Sequence, residues 1–217
     1  MIAVMHESDF RNERFRFVEA KLKAQGIPYK PYGDRQWRGF GQKLQTAAQA
    51  ASQRTEDHIL FMDSRDVIPL AGPDTILKRF KAMGHPWVCA AEPNIWPPNS
   101  IKPGAYPTCT SPWRYLNSGL YMAERKYLKE CFERWGIPAV GDDDQLWLAR
   151  RYVQEPGCIQ LDVGCELFQC LIGSWWAFRL SKGKLYNKMT DTFPLMLHHN
   201  GGGNVMTDER LADLWGK

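Results

Sequence analysis

Asp63 and Asp66 stand three residues apart in the run Phe61-Met62-Asp63-Ser64-Arg65-Asp66-Val67, directly after an apolar stretch. On an irregular strand-to-loop turn, two carboxylates so spaced can face one cation, and open α/β sheets place ligands at such strand ends. Oxygen donors suit magnesium or manganese, which keep positions open for phosphate oxygens. In the alternative, one aspartate caps the turn and the other is solvated. A second segment, Leu197-His198-His199-Asn200-Gly201-Gly202-Gly203, offers an imidazole, and its glycines let backbone approach a phosphate closely. Adjacent histidines on a strand point to opposite faces, so only one of the two readily faces a given site.

A third cluster, Gly141-Asp142-Asp143-Asp144-Gln145-Leu146, leads an amphipathic helix. One acid is a natural N-cap and the charges suit the helix's positive end. That accounts for one or two of them; a remaining carboxylate can bind sugar hydroxyls or deprotonate an acceptor. Arg38-Gly39-Phe40-Gly41-Gln42-Lys43 joins a glycine loop, a helix start and a lysine, a combination that favours an anion. It lacks the spacing and the Ser/Thr of a P-loop. Trp37, Trp96, Trp113, Trp175 and Trp176 are candidates to stack on a base or sugar, with about two of the five expected to face a ligand.

The elements that must position these groups follow from periodicity. Strands are expected at 2–6, 29–32, 58–62, 87–91, 118–122 and 194–198, with further short apolar runs at 159–163 and 167–171. Helices are expected at 12–25, 42–52, 75–83, 124–135 and 142–153, several of them stopped by glycine or proline. Alternating strand and helix predicts an α/β fold with a mostly parallel central sheet flanked by helices, in a single domain over 1–217. Residues 93–113 carry six prolines and form a long loop, a kind that tends to be functional.

Nine tryptophans, eight tyrosines and ten phenylalanines supply enough apolar area to exclude a disordered chain. No apolar run reaches the roughly 20 residues that span a bilayer, so no membrane association is expected. Residues 1–6 read as a strand and not as an export signal, which predicts a cytoplasmic protein with six reduced cysteines. A formal charge of +4 suits phosphate-bearing ligands but is too small to define a nucleic-acid binder.

In order, these segments resemble the glycosyltransferase domain of the procollagen lysyl hydroxylases and related collagen glycosyltransferase-like domains. The resemblance runs through Trp37-Arg38-Gly39, Gly41-Gln42-Lys43, Leu60 to Val67, Ala91-Glu92-Pro93, Trp96-Pro97 and Arg114 to Gly119. It continues through Asp142 to Leu146, Leu161-Asp162-Val163, Leu167-Phe168-Gln169 and His198 to Gly201. It implies a GT-A-type nucleotide-sugar-binding fold with manganese (or magnesium) on Asp63, Asp66 and His198, and a uridine-diphosphate sugar as donor. It also implies that Trp37, Gly41, Gln42 and Lys43 lie near the nucleotide. Asp63, Ser64, Arg65, Asn117, Ser118, Asp142, Gln145, Asn200 and Gly201 are expected to line the donor site, with Asp143 and Asp144 carrying catalysis. Glucose or galactose would pass to a hydroxyl on a protein, a glycan or a hydroxymethylated nucleic acid; a silent carbohydrate- or nucleotide-binding module is the other reading. Two residues depart from the family pattern: Arg65 replaces an aromatic that can stack on the base, and His199 replaces a glycine.

Overall fold

The computed structural model describes residues 1–181, 184–201 and 203–212. Its strands are β1 (Ile2–His6), β2 (Tyr29–Tyr32), β3 (His58–Met62), β4 (Val67–Pro69), β5 (Trp87–Glu92), β6 (Tyr115–Glu124), β7 (Gln160–Asp162), β8 (Phe168–Cys170), β9 (Phe178–Ser181), β10 (Lys184–Asn187) and β11 (Met196–His198). Its helices are α1 (Glu13–Ala24), α2 (Gly41–Gln53), α3 (Pro73–Ala82), α4 (Arg125–Trp135) and α5 (Asp144–Gln154).

Six strands form a central sheet in the order β2-β1-β3-β6-β5-β7. All neighbours pair in parallel except β6, which runs antiparallel to both β3 and β5. The reversal has a simple cause. Residues 93–114 return the chain from β5 without a crossover helix, and parallel neighbours need one. A smaller sheet, β4-β11-β8, packs beside it.

The central sheet is buried on both faces, and alternation along each strand divides the core in two. Ile2, Val4, Ile59, Phe61, Trp87, Cys89 and Tyr121 point toward α2, α4 and α5. Ala3, Met5, Leu60, Met62, Val88 and Met122 point toward α1, α3 and the small sheet. Four buried alanines (Ala47, Ala48, Ala50 and Ala51) let α2 lie close on its layer. Fully buried Leu44 adds on the order of 2 kcal/mol by area alone. On the other face α1 presents Phe15, Val18 and Leu22, and Asn12 caps it by accepting the N–H groups of Arg14 (3.0 Å) and Phe15 (3.3 Å).

Two devices join the sheets. Asp162, at the end of β7, accepts the backbone N–H groups of Glu166, Leu167 and Phe168 at 2.7–2.9 Å and so turns the chain into β8. Burial pushes its carboxyl up to about 6 despite those three donors. The second device is register: β11 pairs antiparallel with β4, setting His198 opposite Val67, and parallel with β8, setting it beside Cys170. A histidine late in the chain is thereby brought next to Asp66.

Candidate active site

Asp63 follows β3 and its N–H donates to the carbonyl of Gly119 (2.7 Å). Asp66 precedes β4, and its carbonyl accepts the N–H of His199 (2.8 Å). His198 Nε2 lies 3.6 Å from Asp63 Oδ2 and 3.5 Å from Asp66 Oδ1. Those separations exceed hydrogen-bond length and match donors gathered around one ion. One ligand atom from each residue lies within 4.8 Å of the other two.

His198 is fixed from behind. Its Nδ1 is 3.0 Å from Asn117 Oδ1, which also accepts the Gly119 N–H at 3.0 Å. Asn117 Nδ2 donates to Glu92 Oε1 (3.2 Å), so the amide cannot turn over without losing these bonds. A proton therefore sits on Nδ1, and Nε2 faces the aspartates, where on losing any proton of its own it offers the lone pair a metal requires. Gly119 completes the cradle: a Cβ there would stand 2.4 Å from His198 Cε1 and 2.5 Å from Asp63 Oδ2. The residues present thus fit a divalent ion, and a mixed nitrogen and oxygen set suits manganese.

Without metal the charges lean on one another. Burial works against an imidazolium on His198, but Asp66 and then Asp63 outweigh it and hold its pKa above the usual value. Burial raises the Asp63 carboxyl, with Lys43 opposing; Asp66 stays below the usual range because His198 overcomes its burial. Lys43 Nζ bridges Asp63 Oδ1 (2.7 Å) and Asp144 Oδ2 (2.9 Å). Burial opposes its ammonium, yet Asp144 and Asp63 together raise its pKa, so it stays charged. Ser118 Oγ donates to the same Asp144 oxygen (2.8 Å), which leaves Asp144 Oδ1 without a partner among the described residues.

On the other side of Asp63 opens a cleft of about 400 Å³, lined by Trp37, Lys43, Asp63, Ser64, Arg65 and Asp66 among others. Buried Glu7 organises its floor: Oε2 accepts from Ser64 Oγ (2.8 Å) and Arg65 Nε (3.0 Å), and Oε1 from Arg65 Nη2 (2.5 Å). Burial would raise that carboxyl, but these bonds hold it below the usual range. Trp37 is 47% exposed and packs edge-on against Phe40. Its loop is braced by Gln42, whose Oε1 accepts the Arg38 N–H (2.6 Å) and whose Nε2 donates to Gln36 O (3.2 Å).

The structure brings Lys43, Asp63, Asp66, Ser118, Asp144 and His198 together, with Trp37, Ser64 and Arg65 along the adjoining cleft. Several other candidates are placed differently. The start of α2 is no seat for an anion, because its N–H groups are taken: Gly41 donates to Val140 O, Gln42 to Gly39 O and Lys43 to Phe40 O. Gly41 instead allows close packing, since a Cβ there would lie 1.9 Å from Ala139 O. The helix expected over 142–153 begins at Asp144, because Asp143 is its cap and accepts the Leu146 N–H (2.8 Å). Exposed Asp142 folds back onto Ala139 N (2.7 Å). Asn117, Gln145 and Asn200 are spent on one another's support: Gln145 Nε2 and Asn200 Nδ2 both donate to Glu92, and Asn200 Oδ1 holds the N–H groups of Leu171 and Ile172. Gly201 (φ +100°) packs against Ile172, and Gly202 lies outside the described residues. Trp113 is core, donating to Cys170 O, and Trp175 lies half-buried under Arg210.

Glu92, Gly119, Glu7 and Arg14 were not among the candidates. Glu92 ends a buried apolar run as Asp63 does, and Gly119 sits inside a buried strand where a glycine marks close approach. Both signals were available. All six cysteines are free thiols, and no described helix is long and apolar enough to cross a membrane.

The family model described as the PLOD GT domain matches residues 13–212. Procollagen-lysine,2-oxoglutarate 5-dioxygenase 1 of Gallus gallus is 30% identical over 217 residues, covering 92% of this chain and 29% of that protein. Its paralogue 2 from Mus musculus is 30% identical over 77% of this chain and 24% of that protein. Uncharacterized protein R699 of Acanthamoeba polyphaga mimivirus is 31% identical over 75% of this chain and 36% of its own length. The chain thus spans about a quarter to a third of these relatives. Among solved structures, a glycosyltransferase involved in glycosylation of the major capsid of PBCV-1 superposes with a TM-score of 0.54 at 12% identity, covering 99% of this chain and 97% of that one. The apo-form glycosyltransferase GlyE of Streptococcus pneumoniae TIGR4 gives 0.54 at 15% identity, covering 99% and 59%. These two likenesses concern the fold.

Proposed function

The chain belongs to the family of PLOD glycosyltransferase domains and adopts a GT-A fold, and from that premise we propose that it is a metal-dependent hexosyltransferase acting as a single domain. Its donor is a uridine-diphosphate sugar, with glucose or galactose as the hexose, and its acceptor is a hydroxyl. The observation that carries this reading is the convergence of Asp63, Asp66 and His198, with both aspartates lining a cleft that also holds Lys43, Arg65 and Trp37.

The chemical problem is departure of a nucleoside diphosphate from the anomeric carbon, with negative charge growing on the leaving oxygen. Manganese or magnesium held by Asp63, Asp66 and His198 supplies Lewis-acid stabilisation of that charge. Lys43, kept charged by its two aspartates, adds a positive group beside the leaving oxygen. Asp144 orients a sugar hydroxyl through its free Oδ1 while Ser118 and Lys43 hold Oδ2 in place. Trp37 offers its exposed ring as one wall for the base. The six free thiols support a reducing, cytoplasmic setting.

The test needs no acceptor: incubate the protein with a panel of uridine-diphosphate sugars and manganese, and quantify released uridine diphosphate. We expect slow turnover of one donor, lost on chelation and in Asp66→Ala. Absence of both turnover and metal-dependent binding of uridine diphosphate would overturn the proposal.

A further inference from the structure

Three cations line the donor cleft: Arg14, Lys43 and Arg65. Two of them are already committed. Lys43 is shared between Asp63 and Asp144, and Arg65 lies fork-on against Glu7. Arg14 differs. Its guanidinium has no ion pair with any described residue, and its Nε is buried without a hydrogen-bond partner. The guanidinium thus stands at the cleft with no carboxylate of the described residues paired with it to balance its charge, and a diphosphate in the cleft would supply that balance. The residue also stands in the first turn of α1, where a positive charge opposes the helix dipole. The helix start itself is not the binding element, since the N–H groups of Arg14 and Phe15 are taken by Asn12 Oδ1 and that of Arg16 by Asn12 O.

Charge counting points the same way. Four carboxylates (Glu7, Asp63, Asp66 and Asp144) meet these three cations at or beside the cleft, a balance of −1. A divalent ion on the Asp63, Asp66 and His198 set brings it to +1, and without Arg14 the metal-loaded cleft would be neutral. Removing any one of the three cations would do the same, but Arg14 is the one whose charge is not already held by a carboxylate. It also comes from the opposite layer to Lys43, because α1 and α2 pack on different faces of the central sheet.

We propose that Arg14 is a donor-binding residue that grips the diphosphate of the nucleotide sugar from the α1 side, while Lys43 approaches from the α2 side. This rests on the transferase reading above. The residue contributes a charge-assisted, two-pronged contact that strengthens as the leaving group gains charge.

Calorimetric titration with uridine diphosphate in saturating manganese, and with manganese alone, tests it on the parental protein, Arg14→Ala, Arg14→Lys and the exposed neighbour variant Arg16→Ala. We expect Arg14→Ala to weaken uridine diphosphate by about 10- to 100-fold. Arg14→Lys should recover part of that loss, Arg16→Ala should bind as the parent does, manganese affinity should be unchanged in all four, and Arg14→Ala should melt no lower than the parent. Equal affinity of parent and Arg14→Ala for uridine diphosphate would overturn the assignment, as would parallel loss of manganese binding or melting temperature. If the parent itself fails to bind uridine diphosphate with manganese, the transferase reading fails and the Arg14 assignment falls with it.

Discussion

The two acidic segments, Asp63 to Asp66 and Asp142 to Asp144, look alike in the sequence and behave differently in the fold. The first leaves a buried strand by an irregular turn, and its two carboxylates, three residues apart, both reach one imidazole. The second runs into a helix, where about 100° of rotation per residue sends consecutive side chains in different directions. Asp142 turns back to Ala139, Asp143 caps α5, and Asp144 alone turns inward to Lys43 and Ser118. Local backbone geometry, more than acid content, decides how many carboxylates a segment delivers to a site. A turn can focus them, whereas a helix start divides them between capping and chemistry.

Three substitutions probe that contrast. The largest effect is expected from Gly119→Ala, which removes no polar group yet places a methyl carbon against both Asp63 and His198. Metal-dependent donor turnover should vanish, with manganese affinity reduced on the order of 100-fold; an alanine variant that binds manganese like the parent would break the idea of a focused turn. Next comes Asp144→Asn, which keeps the shape and removes the charge facing Lys43. Donor turnover should fall roughly 100-fold while manganese still binds, because Asp144 is not one of the three residues whose donor atoms converge. Smallest is Asp143→Ala. Loss of the cap should lower unfolding free energy by about 1 kcal/mol, measured by denaturant titration, with turnover close to parental. A Asp143→Ala protein as inactive as Asp144→Asn would show that the helix start does not divide the roles.

Much of the layout was legible in advance because long, two-sided apolar runs and helical stripes are strong signals. The strands around residues 2–6, 58–62 and 87–91 and all five helices stand where periodicity places them, to within a few residues. The three-residue β4 and the paired β9 and β10 of four residues each were not among the expected strands. The direction of β6 follows from the missing crossover, a property of the connection and not of the strand. Within the site, the Asp63 and Asp66 pair was readable from residue type and spacing after a strand, whereas the choice of His198 over His199 came only from the family resemblance. The supporting residues were harder, because their roles depend on partners far along the chain. Glu92 gathers Asn117, Gln145 and Asn200 from β6, α5 and the segment after β11. Nothing in any one segment announces that meeting. Asn117 and Asn200 were read as facing a ligand, and in the fold their amides are occupied in holding the protein's own groups.

The seating of β11 between β4 and β8 also has a consequence for how the protein is made. Asp63 and Asp66 leave the ribosome long before His198, so the nascent chain carries two of the three donors with no means of completing the set. The third arrives only when β11 slots into a gap that β4 and β8 have left for it, a late and topologically demanding step. Metal capture would then coincide with the end of folding and lock it, adding its binding energy to that of packing and the buried hydrogen-bond networks. In a cell short of manganese, the expected defect is a pool of nearly finished molecules with β11 insecurely docked, visible as protease sensitivity around residues 196–201 before any loss of the central sheet.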